Sequence, residues 1–323
     1  MATARKRQIS LADTKYYHCI SRCVRQAYLC GKDMVTGKSY EHRRNWVEQK
    51  LLLLANAFCI DVCAYAVMSN HTHIVLYVDD NKAKRLSDRA IVMRWHKLYK
   101  GSWLTNKFIN GEALNESERV MLAVQISQYR ERLASISWFM RVLNEDIARR
   151  ANKEDGCKGR FWEGRFKSQA LLDEAALAAC MAYVDLNPIR ADMAKTPETS
   201  DYTSIKKRIE HAKHGKQPSS LLRFAGNPKK HMTKGIPFEF EYYLELIELT
   251  GQSIRSDKAG YIDETQPILA RLNIEPENWA KLTTQFSHVF HGAAGRPQAI
   301  TSYCETMSKK RRKDIKNSER LLA

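Results

Sequence analysis

AYAVMSNHTHIVLYV, residues 64 to 78, sets two apolar runs about a polar tip. Val, Ile, Tyr and Leu on either side of Ser69-Asn70 read as two adjacent strands joined by a turn. Side chains i and i+2 share one face of a strand, so His71 and His73 point the same way and Thr72 points the other. Two imidazoles side by side are half of a site for a divalent metal. A lone H-x-H pair is more often two ordinary polar residues at a strand end. Stretches further along the chain decide between the two.

Upstream, KYYHCISRCV (15–24) is β-rich and reads as a first strand. YEHRRNWVEQKLLLLANAF (40–58) reads as a helix, because Trp46, Val47, Lys50, Leu51 and Leu54 recur at helical spacing. With IDVCAYAVMS leading into the central pair, the chain runs β-α-β-β to about residue 80. Downstream, one helix is expected at about 82–99 and a long one at about 117–152, with Ile136, Phe139, Met140, Leu143 and Ile147 as its stripe. The segment between them reads as a loop. Asp173 is a good N-cap for EAALAACMAYVDLNPIRADMA. That helix carries Tyr183 and, one turn on, Asn187, until Pro188 kinks or ends it. Beyond about residue 200, helices are expected near 237–250, 263–272 and 276–290. A basic run, Lys309 to Lys313, follows.

Lys plus Arg number 53 against 36 Asp plus Glu, a formal charge of +17 on 323 residues. That excess points to a polyanion as partner, nucleic acid first. A hydrophobic fraction of 44% supports a real core. No apolar run is long enough to cross a membrane, and no apolar segment follows the basic N-terminus, so no membrane association and a cytoplasmic location are expected.

GCKGRFWEGRFKSQALL (156–172) interleaves Phe161, Trp162 and Phe166 with Arg160, Arg165 and Lys167. Aromatic faces stack bases while cations hold phosphates, the combination that single-stranded nucleic acid calls for. The alternative is a strand with core aromatics and surface cations. The candidate DNA contacts are Arg22, Arg160, Phe161, Trp162, Arg165 and Lys167. Eight cysteines are scattered along the chain, which fits reduced thiols. Cys19/Cys23 and Cys59/Cys63 invite a zinc reading, but both C-x-x-x-C pairs lie in strand-like runs where buried cysteine is common.

YYHCISRCVRQAYLC, YAVMSNHTHIVLYV, GRFWEGRFKSQALL and YVDLNPIRADM stand in the order and spacing of the single-tyrosine HUH transposases. Over about residues 14–205 the chain resembles their REP-associated tyrosine transposase branch. The resemblance implies an α+β fold: a ferredoxin-like antiparallel sheet with helices on one face, here followed by a C-terminal helical extension. It implies a catalytic domain over 1–205, with an insertion at about 100–155; it is weak or absent beyond, and 206–323 reads from its own residues as an accessory helical region with a basic tail. The resemblance makes Tyr183 the nucleophile, and His71, His73 and Asn187 the ligands of Mg2+ or Mn2+. It implies nicking and rejoining of single-stranded or hairpin DNA through a 5′-phosphotyrosine, in a prokaryotic, nucleoid-associated protein that can form a homodimer. Two departures stand out: Thr72 replaces the usual hydrophobic residue between the histidines, and Ser69 replaces a proline.

The rival from another class is a nucleic-acid-binding regulator on the same fold, without catalysis. It accounts for the charge and the aromatic-basic stretch. It leaves the combination of His71, His73, Tyr183 and Asn187 without a purpose. A third reading, a zinc-stabilised interaction module, rests on the cysteine pairs alone.

Overall fold

The computed structural model describes residues 8–24, 29–33, 36–226, 234–255, 266–309 and 311–322. Strand β1 (Tyr16–Arg22), helix α1 (His42–Ala57) and strands β2 (Ile60–Val67) and β3 (His71–Val78) follow the hydrophobic pattern. The Met68 N–H donates to the His71 carbonyl at 2.9 Å, closing the tight turn over Ser69-Asn70. Helices α2 (Asp80–Arg85), α3 (Asp88–His96), α4 (Trp103–Asn110), α5 (Glu116–Leu133) and α6 (Ile136–Glu154) come next. The expected helices at 82–99 and 117–152 are thus each two. Ser87 and Ser135 break them: each hydroxyl accepts a backbone N–H three residues on, starting a new helix within apolar periodicity that runs straight past. The expected loop holds α4, capped in the same way by Ser102.

Strand β4 (Lys167–Leu171), α7 (Glu174–Asp185), α8 (Asn187–Arg190) and α9 (Ser204–Ala212) complete the first two thirds. Then come α10 (Phe240–Ile254), α11 (Pro267–Leu272), α12 (Pro276–Val289), β5 (Ala293–Ala294), α13 (Pro297–Thr306) and α14 (Ile315–Leu321). Of the helix expected over 263–272, residues 263–265 lie outside the described residues.

The sheet order is β2-β3-β1-β4-β5. Strand β3 sits between β1 and β2, which α1 connects, the split β-α-β of a ferredoxin-like α+β fold. The first four strands pair antiparallel. Strand β5 adds a short parallel pair, so the sheet is not antiparallel throughout. The helices cover both faces rather than the expected one. Tyr17, Cys19, Ile74 and Leu76 pack with Val47 and Leu51 of α1 and with Phe139 and Leu143 of α6. Ala66 and Val75 pack on the other side, with α7 and with Trp279, Leu282 and Phe286 of α12. The physical reason is the composition of the central strands. They are apolar on both sides of the pleat, and both sides need cover.

Helix α7 is buried along its whole length from Ala175 to Asp185, held between the sheet and the C-terminal helices. The boundary expected at residue 205 falls inside α9. The C-terminal basic segment is also anchored. Leu321 and Leu322 are buried, and the Ser318 hydroxyl donates to the Gly295 carbonyl at 2.5 Å. Lys310 of the basic run lies outside the described residues. Among the described residues, no helix is long and apolar enough to cross a membrane.

Candidate active site

The β1–β3 register sets Arg22 opposite His71 and Ile20 opposite His73. The two histidine rings share the α7 face of the sheet, their centroids 4.7 Å apart at 81°. His71 Nδ1 lies 2.6 Å from Asn70 Oδ1. A carboxamide oxygen only accepts, so Nδ1 carries the proton and Nε2 is left as a lone pair. Burial lowers the His71 pKa to about 4, and the charges of Arg22 and Arg190 push the same way. Burial also holds His73 well below the ordinary imidazole range, with His18 and His71 adding to the effect. Both rings are neutral at neutral pH, the form that binds metal ions.

The ring of Tyr183 stands edge-on to His73, 5.4 Å between centroids at 88°. Phe286 of α12 backs it at 6.0 Å. The helix breaks at Leu186, and Asn187 opens α8 with Pro188 behind it. Asn187 is 5% exposed, and its Nδ2 has no hydrogen-bond partner among the described residues. An orphaned buried N–H donor is costly and marks a place for a hydrogen-bond acceptor such as a phosphate oxygen. Two neutral imidazoles, with the Asn187 carboxamide oxygen as a third donor, make the mixed N/O set that suits a divalent ion. Among the described residues, no group of three or more His, Cys, Asp or Glu gathers for a metal. Seven of the eight cysteines are buried, with Cys19 and Cys63 on opposite faces of the sheet.

Three residues of the site escape a reading of the sequence. The Arg190 guanidinium lies 4.2 Å over the Tyr183 ring, and its Nη1 donates to the Thr283 carbonyl at 2.8 Å. Its signal was the spacing, seven residues after Tyr183 and so two turns along the same face. His18, fully buried, lies 6.2 Å from the Tyr183 ring and bonds to His73. Gln169 bonds to His18. Nothing local announces either of these two, because strand pairing alone brings His18 beside β3 and Gln169 of β4 opposite His18.

The candidate DNA contacts divide. Arg22 is exposed at the end of β1, beside His71. Arg160, Arg165 and Lys167 are exposed along the segment entering β4. Hydrogen bonds from Glu163 N–H to the Arg22 carbonyl and from Val24 N–H to the Phe161 carbonyl tie that segment to the same end of the sheet. Phe161 is 3% exposed and packs in the layer under α6, so it offers no face to a base, contrary to expectation. Trp162 is half-buried, its indole N–H donating to the Asn144 carbonyl at 2.7 Å. The apolar area of both rings is used in closing this layer.

The chain matches no family model and no curated protein. Among solved structures it is similar to a REP-associated tyrosine transposase bound to a REP hairpin, at 11% identity and a TM-score of 0.38, over 73% of this chain and 97% of that one. A likeness that faint carries no functional weight, and the chemistry below rests on the side chains themselves.

Proposed function

We propose that this protein cuts and rejoins DNA strands, with Tyr183 as the nucleophile. The observation that carries the reading is the placement of the Tyr183 ring. It is edge-on to His73 and under the Arg190 guanidinium, with the buried Asn187 amide one turn away. A buried tyrosine that served only packing would not require two neutral histidines and a cation around it.

In the cutting step the Tyr183 Oη–P bond forms and the P–O3′ bond breaks. The phenolic proton passes to solvent, and the departing 3′ oxygen takes up a proton. The products are a 5′-phosphotyrosine and a free 3′-hydroxyl. The phosphodiester bond count is unchanged, so attack by another 3′-hydroxyl reverses the step and joins new ends without ATP. Arg190 supplies fixed positive charge beside the phenol, where negative charge develops. His71, His73 and the Asn187 carboxamide oxygen would hold a divalent ion, which would supply positive charge for the phosphate oxygens. Arg22 beside His71, with Arg160, Arg165 and Lys167, gives phosphates a basic approach to the site. Tyr183 reaches histidines of its own chain, so these side chains need no second subunit.

The test uses single-stranded or hairpin DNA labelled at its 3′ end, run with the protein and Mn2+ on a denaturing gel. Label at the position of the protein is the expected result, and it disappears with His71→Ala, with His73→Ala or in EDTA. DNA binding persists in both variants, since phosphate contacts elsewhere dominate affinity. Binding with no covalent adduct under any condition selects the regulator reading instead.

A further inference from the structure

A chain of hydrogen bonds runs from the C-terminal third of the protein to the metal-facing histidine, and each of its polarities can be deduced. Gln169 has a polar atom 2.6 Å from the Phe290 carbonyl oxygen. A carbonyl only accepts, so that atom is the amide nitrogen, which turns the Gln169 Oε1 toward His18. His18 Nδ1 lies 3.1 Å from Oε1, so Nδ1 must carry the proton. His18 is fully buried with no carboxylate partner among the described residues to stabilise an imidazolium, so its Nε2 is a bare lone pair. That lone pair lies 2.9 Å from His73 Nδ1. The two ring planes are inclined by 19° and their centroids lie 5.1 Å apart. His73 Nδ1 therefore carries a proton and donates it, and His73 Nε2 is left unprotonated.

We infer that His18 and Gln169 are positioning residues that lock His73 in the Nδ1–H tautomer, so that its Nε2 lone pair is permanently available to a divalent ion. The inference rests on the metal site proposed above but concerns a property of the metal-free protein. Without an acceptor at Nδ1, a buried neutral imidazole can place its proton on either nitrogen, and the Nε2–H form cannot ligate through Nε2. Outer partners that fix ligand tautomers are worth roughly 10–100-fold in metal affinity. The terminal acceptor is a backbone carbonyl just beyond α12. The C-terminal helices thereby act on the site without contributing a ligand, and a backbone acceptor cannot be lost by side-chain substitution at Phe290.

The experiment is long-range 15N–1H correlation of the histidine rings in the full-length, metal-free protein at pH 7.5, with His73→Gln used to assign the His73 signals. The expected spectrum shows His73 protonated at Nδ1 only. His18→Leu removes the acceptor: His73 then shows the Nε2–H form, and Mn2+ affinity measured by titration calorimetry falls about 10–100-fold. His18→Gln, whose amide oxygen can take the place of the imidazole Nε2, restores the tautomer and most of the affinity. That rescue separates the acceptor role from packing. A wild-type His73 protonated at Nε2 overturns the inference, whether or not any variant folds. So does an unchanged His73 tautomer in His18→Leu. If the tautomer behaves as stated but the wild type forms no adduct with DNA, the proposed strand cutting fails and the lock stands. If the adduct forms while the tautomer is wrong, the reverse holds.

Discussion

At the scale of single residues, Tyr183 and His18 carry the sharpest tests. Tyr183→Phe removes one oxygen and keeps a ring packed between His73 and Phe286. The expected variant folds with a melting temperature close to wild type and binds DNA, yet forms no covalent adduct. An adduct in Tyr183→Phe would mean that another tyrosine is the nucleophile. His18 yields a pH dependence. Burial lowers its pKa to about 4, while an unfolded imidazole titrates near 6.5. Between those values the unfolded chain binds a proton that the folded chain refuses. Its stabilising contribution is therefore whole above about pH 6.5 and is lost as pH falls toward 4, on the order of 3 kcal/mol. Asp185, pushed up to about 6 by burial, works in the opposite sense from about pH 4 to 6. The check is thus a difference: melting temperatures at pH 7.5 and 5.0 for wild type and His18→Gln. The wild type is expected to lose more on acidification, and equal losses would refute a buried neutral His18.

At the scale of elements, α7 is the pivot. Glu-Ala-Ala-Leu-Ala-Ala-Cys-Met-Ala-Tyr-Val-Asp is apolar on nearly every side, and a helix of that kind must be covered all round. The sheet covers one side, and α10 and α12 cover another. Its one buried charge-bearing residue faces the C-terminal helices. Asp185 accepts from the Ser204 hydroxyl at 2.5 Å and from the Tyr243 hydroxyl at 2.7 Å, clamping α9 and α10 onto α7. Asp185→Ala leaves both hydroxyls buried without that partner. The expected loss is about 2–5 kcal/mol, seen as a lower urea midpoint at unchanged m-value. A loss below about 0.5 kcal/mol would show that the clamp contributes nothing. The breaks in the insertion belong to this scale too. Ser87, Ser102 and Ser135 each cap a helix, but Ser117 and Ser127 lie within α5 and Ser137 within α6, so serine alone does not mark where 82–152 divides.

At the scale of the whole molecule, the charge of +17 implies salt-sensitive DNA binding. Deleting the C-terminal segment would not test its basic run cleanly, because Leu321 and Leu322 are part of the core. Within that run Lys309 lies over the Tyr303 ring and Arg312 pairs with Glu305, whereas Arg311 and Lys313 are exposed. Replacing Arg311 and Lys313 by Gln is expected to leave the melting temperature unchanged. The slope of log affinity against log salt should fall by about one for each phosphate no longer neutralised. An unchanged slope would place the DNA elsewhere, on the Arg22 and Arg160 side.

The sequence by itself determined what depends on neighbours in the chain. Alternation placed His71 and His73 on one face of β3, the cap at Asp173 started α7, and helical spacing put Asn187 one turn beyond Tyr183. The order β-α-β-β followed from periodicity, and the ferredoxin-like class from the resemblance carried by the four sequence blocks. Only the tertiary structure decided what depends on pairing between distant segments. It showed that helices cover both faces, and that Phe161 is core rather than a platform for bases. It brought His18, Gln169 and the Phe290 carbonyl into one line behind His73. The reason is physical. A strand's own pattern fixes which way its side chains point, but the residue that meets them is set by register and packing across 55 positions for His18 and His73 and 151 for His18 and Gln169, and no local rule encodes such distances.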